Sequence, residues 1–320
     1  MEQSKLYDFL RGASIAESSL KLYMNNLRRL NGGEFPRDFK FLKNTEKILG
    51  DLEKFKPNTR RSYLISIVTT LKHDPKMKKL YGVYYEHLDR YNKEGAKHND
   101  KTETQKANWI EQSDVREIYE RVTEEARPLL AKRKLSADEY DAVLKWVVLS
   151  LYVLQKPRRN ADYQLSKLVN KYSDSNDKAF NYLDLSTGQW HFNNYKTKGT
   201  YKTQTVEATP EMLEVVRAFL RHHPQGKEMK KKSGSVMLLV DREGAPLTAV
   251  NAITRILNKV FQKKIGVSML RSIYLTDKYG NKMNELQQDA HDLGTSTNVI
   301  QTQYVKTDGD SVAVGPSEEA

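Results

Sequence analysis

Apolar residues recur at helical spacing through most of the first hundred positions. Leu20, Tyr23, Leu27 and Leu30 fall on one helical face, and Gly32-Gly33 ends the run. Ser14 and Glu17 have the spacing of a capping box, in which each side chain satisfies a free backbone donor at a helix start. Asn58-Thr59 is placed to cap a second amphipathic helix whose apolar face is Leu64, Ile67, Val68 and Leu71. A shorter helix is predicted near 45–55, and a tyrosine-rich one over 76–92. The first segment therefore reads as a compact bundle of about four helices.

Periodicity lapses over 93–106, KEGAKHNDKTETQK, which is polar apart from two alanines. This reads as a linker, with a boundary near Gln105, or as a long surface loop. A helix opened by Ser113-Asp114 follows. Ser136 and Glu139 then form a second capping box, ahead of Tyr140, Val143, Leu144, Val147, Val148 and Leu151. An apolar face that broad predicts a buried helix. Alternation then replaces the helical period. Segments 182–186, 189–195 and 203–208 read as strands, the first two joined by a Thr187-Gly188 turn and the last two by a basic tip, YKTKGTYK. Helices are predicted over 210–221, 247–261, 267–279, 282–292 and around 298–304, with 236–240 a candidate further strand. The fold class is mainly α with a small β-sheet. The division is a helical domain over 1–105, a mixed α/β domain over 106–306 and an acidic tail over 307–320.

Charge changes this picture. The 320 residues carry 53 Lys+Arg against 41 Asp+Glu, a net charge of +12. Residues 1–105 hold 21 basic and 14 acidic groups, 106–306 hold 32 and 23, and 307–320 hold four acidic groups and no basic ones. Two basic modules on one chain suit a clamp around a long polyanion, because each Lys or Arg that neutralises a phosphate also releases counterions. A solubilising excess is the alternative. With 38% hydrophobic and 29% charged residues the chain is an ordinary globular one. The absence of cysteine excludes disulfides, thiolate metal sites and a cysteine nucleophile. The longest apolar run, 146–154, is too short to span a membrane, and the first residues lack the apolar stretch of a secretory signal, so an intracellular protein is expected.

Common catalytic signatures are missing: no G-x-x-x-x-G-K-[ST], no H-E-x-x-H, no G-x-S-x-G and no His/carboxylate cluster at metal spacing. No cofactor and no metal are expected. His222-His223, beside Pro224, reads as a solvated helix end, and Lys230-Lys231-Lys232 as a solvated loop. What remains is a set of cations and one late tyrosine. Arg158 and Arg159 follow the buried helix, with Asp162 three residues after Arg159. An arginine braced by a carboxylate is held ready to grip a phosphate through two parallel hydrogen bonds, and a purely structural salt bridge fits the same residues. Lys196 and Lys198 lie in the basic tip, where a lysine either reaches into a groove or is solvated.

These residues, in this order, resemble the tyrosine recombinase (phage integrase-type) family. Its catalytic domains carry an arginine near an acidic residue, a hairpin lysine, an H-x-x-R helix, a G-[HW] pair and a tyrosine nine residues beyond it. Here the series is Arg159 with Asp162, Lys196, Ser268-Met269-Leu270-Arg271, Gly294-Thr295 and Tyr304. SLKLYMNNLRRL followed by PNTRRSYLISIVTTL is similar to the small helical, SAM-like core-binding domain that precedes the catalytic domain in this family. The K-P-R-R-N-x-D-Y stretch resembles divergent members from large DNA viruses and related mobile elements. The family histidines are replaced by Ser268 and Thr295. Both can donate a hydrogen bond but neither holds a proton as imidazole does, and His291, four residues before Thr295, is a candidate substitute or a surface residue.

The resemblance implies a site-specific recombinase acting on double-stranded DNA. Arg159 and Arg271 would bind the non-bridging oxygens of a phosphodiester, Tyr304 would attack phosphorus, and Lys196 or Lys198 would protonate the departing 5′-oxygen, with Ser268 and Thr295 as further donors. It also implies a homo-oligomer, commonly a tetrameric synapse, on DNA. A type IB topoisomerase or a telomere resolvase would share this chemistry, and a DNA clamp without cleavage would share only the binding.

Overall fold

The computed structural model describes residues 5–13, 15–95 and 100–306. The chain is mainly helical with a small mixed five-stranded sheet, and it divides into two compact units, 1–101 and 102–320. The first unit contains α1 (Lys5–Arg11), α2 (Glu17–Leu30), α3 (Thr45–Glu53), α4 (Pro57–Leu71) and α5 (Lys78–Gly95). Its core gathers Leu20, Met24 and Leu27 from α2 with Tyr63, Leu64, Ile67 and Leu71 from α4 and Tyr84 from α5. Tyr23 and Leu30, expected on the inner face of α2, are half-buried, because Met24 and Asn26 turn inward instead. Buried Asn26 is satisfied by donating to Ser66 Oγ at 2.9 Å.

Three local expectations change. Helix α2 follows Ala16 without a side-chain cap, and Ser14 lies outside the described residues. Helix α4 begins at Pro57, so Asn58 and Thr59 sit inside its first turn; proline's fixed φ and missing N–H suit that first position. The polar stretch 93–106 is largely structured at both ends. Helix α5 continues to Gly95 and α6 (Glu103–Asn108) starts from a Thr102/Gln105 capping box, while 96–99 and the acidic tail lie outside the described residues.

The second unit is built around α8 (Ala137–Val153), which starts from the Ser136/Glu139 capping box and buries Tyr140, Val143, Leu144, Val147, Val148 and Leu151. Around it pack α7 (Gln112–Leu130), α11 (Pro210–Leu220) and α12 (Ala252–Phe261). After α8 come α9 (Asn160–Gln164), β1 (Ser166–Val169), β2 (Asn181–Asp184), β3 (Gln189–Phe192), α10 (Lys198–Tyr201), β4 (Gln204–Glu207) and β5 (Ser235–Met237). The strand order is β4-β3-β2-β1-β5, with β1 and β2 parallel and the other neighbours antiparallel. Strand β1, not expected from the sequence, occupies the sheet between β2 and β5.

Side chains explain the shifted boundaries. Strand β3 stops at Phe192 because the N–H groups of Asn193 and Asn194 go to Asn181 Oδ1, at 2.9 and 2.8 Å, instead of to a neighbouring strand. Helix α12 starts at Ala252, not at 247, because Gln164 Nε2 donates to the carbonyls of Leu247 and Ala249 and holds that stretch out of the helix. The two helices expected over 267–279 and 282–292 are one, α13 (Val267–Asp292). Gly280 costs a helix about 1 kcal/mol, too little to end it without a proline or a cap. Gly294, at φ +64°, closes α13, with the Thr295 N–H on Ala290 O at 2.9 Å in a Schellman arrangement. Then follow α14 (Thr297–Val299) and a π-helical turn, Ile300–Tyr304.

Candidate functional site

The turn between α8 and α9 sends its two arginines to different places. Arg158 points inward. Its Nε donates to Asp162 Oδ2 at 2.9 Å, a terminal nitrogen donates to Gln204 Oε1 at 3.0 Å, and the guanidinium lies 3.7 Å from the centre of the Phe192 ring. Asp162 therefore braces Arg158 and not Arg159, because the i, i+4 spacing closes across the first turn of α9. Arg159 is the N-cap of that helix, and its carbonyl accepts the Asp162 N–H at 3.1 Å. Asp162 is 2% exposed; burial raises its pKa, with the Arg158 charge and hydrogen bond pulling the other way.

Arg159 instead lines a cavity of about 1200 Å³, together with Ser268 and Arg271. Arg159 and Arg271 are 112 positions apart in sequence. Lys167 and Lys264 line the same cavity, and no carboxylate does. Lys167 Nζ rests 3.6 Å from the centre of the Phe180 ring, which fixes a cation on the wall without neutralising it. The Arg271 pKa is lowered first by burial and then by the charge of Arg159, with Asp162 opposing. Neither Arg159 nor Arg271 has an ion-pair partner among the described residues.

The start of α13 adds to this field. Gly266, Val267, Ser268 and Met269 line the cavity, and the helix has no side-chain cap. Its first N–H groups and the positive end of its dipole thus face a space already lined by cations. The polar part of the lining consists mainly of two guanidinium forks, two ammonium groups, the hydroxyls of Thr248, Thr254, Ser268 and Ser272 and the amides of the helix start, a set suited to an anion. A second cleft of about 190 Å³ bordered by Arg271 carries Lys156 and Lys278.

The remaining expected residues do not line the cavity. Lys196 and Lys198 are exposed on the 193–203 connection. That connection is anchored at its root by Asn181, whose Nδ2 donates to Asp162 O at 2.7 Å and Asn194 O at 2.9 Å. Buried Asn181 thereby joins the turn carrying Arg159 to the loop carrying the lysines. At the far end Lys202 has φ +57°, and its carbonyl accepts the Tyr195 hydroxyl at 2.7 Å. Thr295 is half-buried in the cap of α13, and His291 is exposed, with Nδ1 3.1 Å from Asp292 Oδ1. Tyr304 is 66% exposed, and its hydroxyl has no hydrogen-bond partner among the described residues. His223, expected to be solvated, is 5% exposed, with Nε2 2.9 Å from Met237 O; burial lowers its pKa.

Lys167, Lys264 and the backbone amides at the start of α13 are the site features sequence reasoning missed, although the helix start at Val267 and the site residue Ser268 were expected. Gly266 just before the apolar spacing of Val267, Leu270 and Ile273 was the one available signal, for an uncapped helix start. Among the described residues no cluster of His and carboxylates could hold a metal ion, and no helix is long and apolar enough to cross a membrane. Comparison with protein-family models, with curated proteins and with solved structures finds no match to the chain.

Proposed function

We propose that this protein binds double-stranded DNA and cleaves and rejoins its strands through a 3′-phosphotyrosyl intermediate, as a site-specific recombinase of the tyrosine recombinase type. One observation carries the reading: Arg159 lines one carboxylate-free cavity with Ser268 and Arg271, which lie more than a hundred positions away in sequence. A phosphodiester held there would have its charge taken up by the two guanidinium groups, and the increase in charge during attack would be stabilised by the same groups and by the free amides of α13. The Tyr304 oxygen attacks phosphorus as its proton passes to solvent water, the bond from phosphorus to the 5′-oxygen breaks, and that oxygen takes a proton from the Lys196 ammonium, or from Lys198, which regains one from solvent. Resealing is the reverse: a 5′-hydroxyl attacks, the phosphotyrosine bond breaks and the tyrosine regains a proton. The number of phosphate ester bonds is unchanged, so no ATP is needed to reseal the strand.

Tyr304 and the two lysines must reach the phosphate from exposed positions, so the reading requires the terminal turn and the 193–203 loop to move onto bound DNA. The test is a nicked suicide duplex that traps the covalent adduct. Adduct with the wild type and none with Tyr304→Phe is expected. A second reading, a clamp that binds DNA without cutting it, is favoured by the position of Tyr304 outside the cavity lining; DNA binding with no adduct on any duplex would establish it.

A further inference from the structure

Along the second half of α13 the apolar face is largely exposed from Leu275 to Met283 among the described residues, whereas Ala290 at its far end is buried. Leu275, Tyr279 and Met283 are 47%, 43% and 45% exposed, and half-buried Leu286 continues their row. The spacings of four, four and three residues put all four on one face of the helix. A row of large apolar side chains with a charged border is the pattern of a helix that packs on another helix.

The border says which other helix. Lys278, Lys282, Glu285 and Asp289 lie on a single flank of the row, at spacings of four, three and four. The flank is basic first and acidic afterwards, and its change of sign falls beside Met283, in the middle of the row. Within one chain only Lys282 and Glu285 are neighbours of opposite charge on this flank. Lys278 with Lys282, and Glu285 with Asp289, are like charges one turn apart, and Asp289 and Asp292 sit at the negative end of the helix dipole. Lys282, Glu285 and Asp289 have no ion-pair partner among the described residues.

The four flank charges, Lys278, Lys282, Glu285 and Asp289, are matched by a second copy laid antiparallel. In an antiparallel pair each flank faces the same flank of the other helix, so Lys278 and Lys282 of one copy run beside the acidic residues of the other, and the reverse. A parallel pair would set the charged flank against the opposite one, which at this level carries Thr276, Gly280 and Gln287. The geometry points to a homodimer of this chain, formed by antiparallel packing of the 275–289 segments of two α13 helices across a two-fold axis near Met283–Leu286. The inference does not depend on the DNA chemistry proposed above.

A single helix pair covers less surface than a standard interface, so association should be concentration-dependent, in the micromolar range of about 1–100 μM. Sedimentation velocity on the full chain, without DNA, should show a monomer–dimer equilibrium. Met283→Glu, at an exposed position, should weaken association about tenfold or more without changing the thermal melt. Lys278→Glu/Lys282→Glu makes the flank wholly acidic, and Glu285→Lys/Asp289→Lys makes it wholly basic. Each should be more monomeric than the wild type, and an equimolar mixture of the two should dimerise. A wild type that stays monomeric across that range would overturn the inference, as would a dimer indifferent to Met283→Glu. Failure of the mixture to associate would overturn the antiparallel pairing.

Discussion

Asn181 offers the sharpest test of how the site is held. It is fully buried on β2 and makes four hydrogen bonds, donating to Asp162 O and Asn194 O and accepting from the N–H groups of Asn193 and Asn194. Asn181→Leu keeps the number and branching of the side-chain heavy atoms and removes all four. The losses are unequal. Asp162 O retains a bond from Ser166 Oγ at 2.7 Å, and half-buried Asn194 is within reach of water. The N–H of fully buried Asn193 is left without an acceptor, and that of Asn194 is partly deprived. An orphaned buried donor costs about 1–3 kcal/mol, so the substitution should destabilise the second unit by about 2–5 kcal/mol. That is a large part of the roughly 5–15 kcal/mol of an ordinary domain. All three tryptophans, Trp109, Trp146 and Trp190, belong to this unit, so urea unfolding followed by tryptophan fluorescence reports on it directly. Trypsin should also cut Asn181→Leu faster than the wild type at Lys196, Lys198 or Lys202, because the loop has lost its root. A loss below about 1 kcal/mol, the scale of an ordinary substitution, would refute the assignment of Asn181 as the tie between the arginine turn and the lysine loop.

Two further predictions concern the arginine turn. Arg271→Ala and Arg159→Ala should each flatten the dependence of log Kobs on log salt for duplex DNA by about 0.9, the share of one phosphate contact, whereas Arg158→Met should leave the slope unchanged because that guanidinium is already engaged; an equal change for Arg158 in fluorescence anisotropy titrations would contradict the division of roles. Burial raises the pKa of Asp162 in the folded protein, so its contribution to stability is greatest below the unfolded carboxylate value and is lost as pH rises through the folded one. The stability difference between Asp162→Asn and wild type should therefore move in favour of the variant between about pH 3.5 and pH 7. Movement toward the wild type would mean that the Arg158 pairing outweighs burial.

What was legible in the sequence follows the range over which each feature is decided. The Ser136/Glu139 box and the wide apolar face of α8 are local and strong, and the structure has both. The Thr187-Gly188 turn between β2 and β3 is likewise decided by adjacent residues, with Gly188 at φ +73°. Strand β1 has only four residues and follows directly on α9, so nothing nearby marks it; it exists because β2 and β5 are there to pair with it. The partner of Asp162 was ambiguous between adjacent arginines until Phe192, Tyr195 and Gln204, each more than thirty positions away, gave Arg158 an inward setting. Lys167 and Lys264 were illegible for the same reason. A lone lysine in a sequence carries no sign of what wall it lines.

Electrostatics bring these pieces together. A cavity with four cations on its walls and no carboxylate is under internal repulsion when nothing is bound, and the lowered pKa of Arg271, caused by burial and by Arg159, is the sign of it. The two arginines cannot relieve the repulsion by giving up a proton, because a guanidinium stays protonated in proteins. The charge therefore remains, and the relief it can obtain is an anion. Each guanidinium also presents a planar fork that matches two oxygens of a phosphate, so the relief is selective for that geometry over a small monatomic ion. Half-buried guanidinium groups that line one cavity without a carboxylate lower the stability of the free protein and increase what binding of an anion would recover, which is what the proposed binding of a phosphodiester calls for.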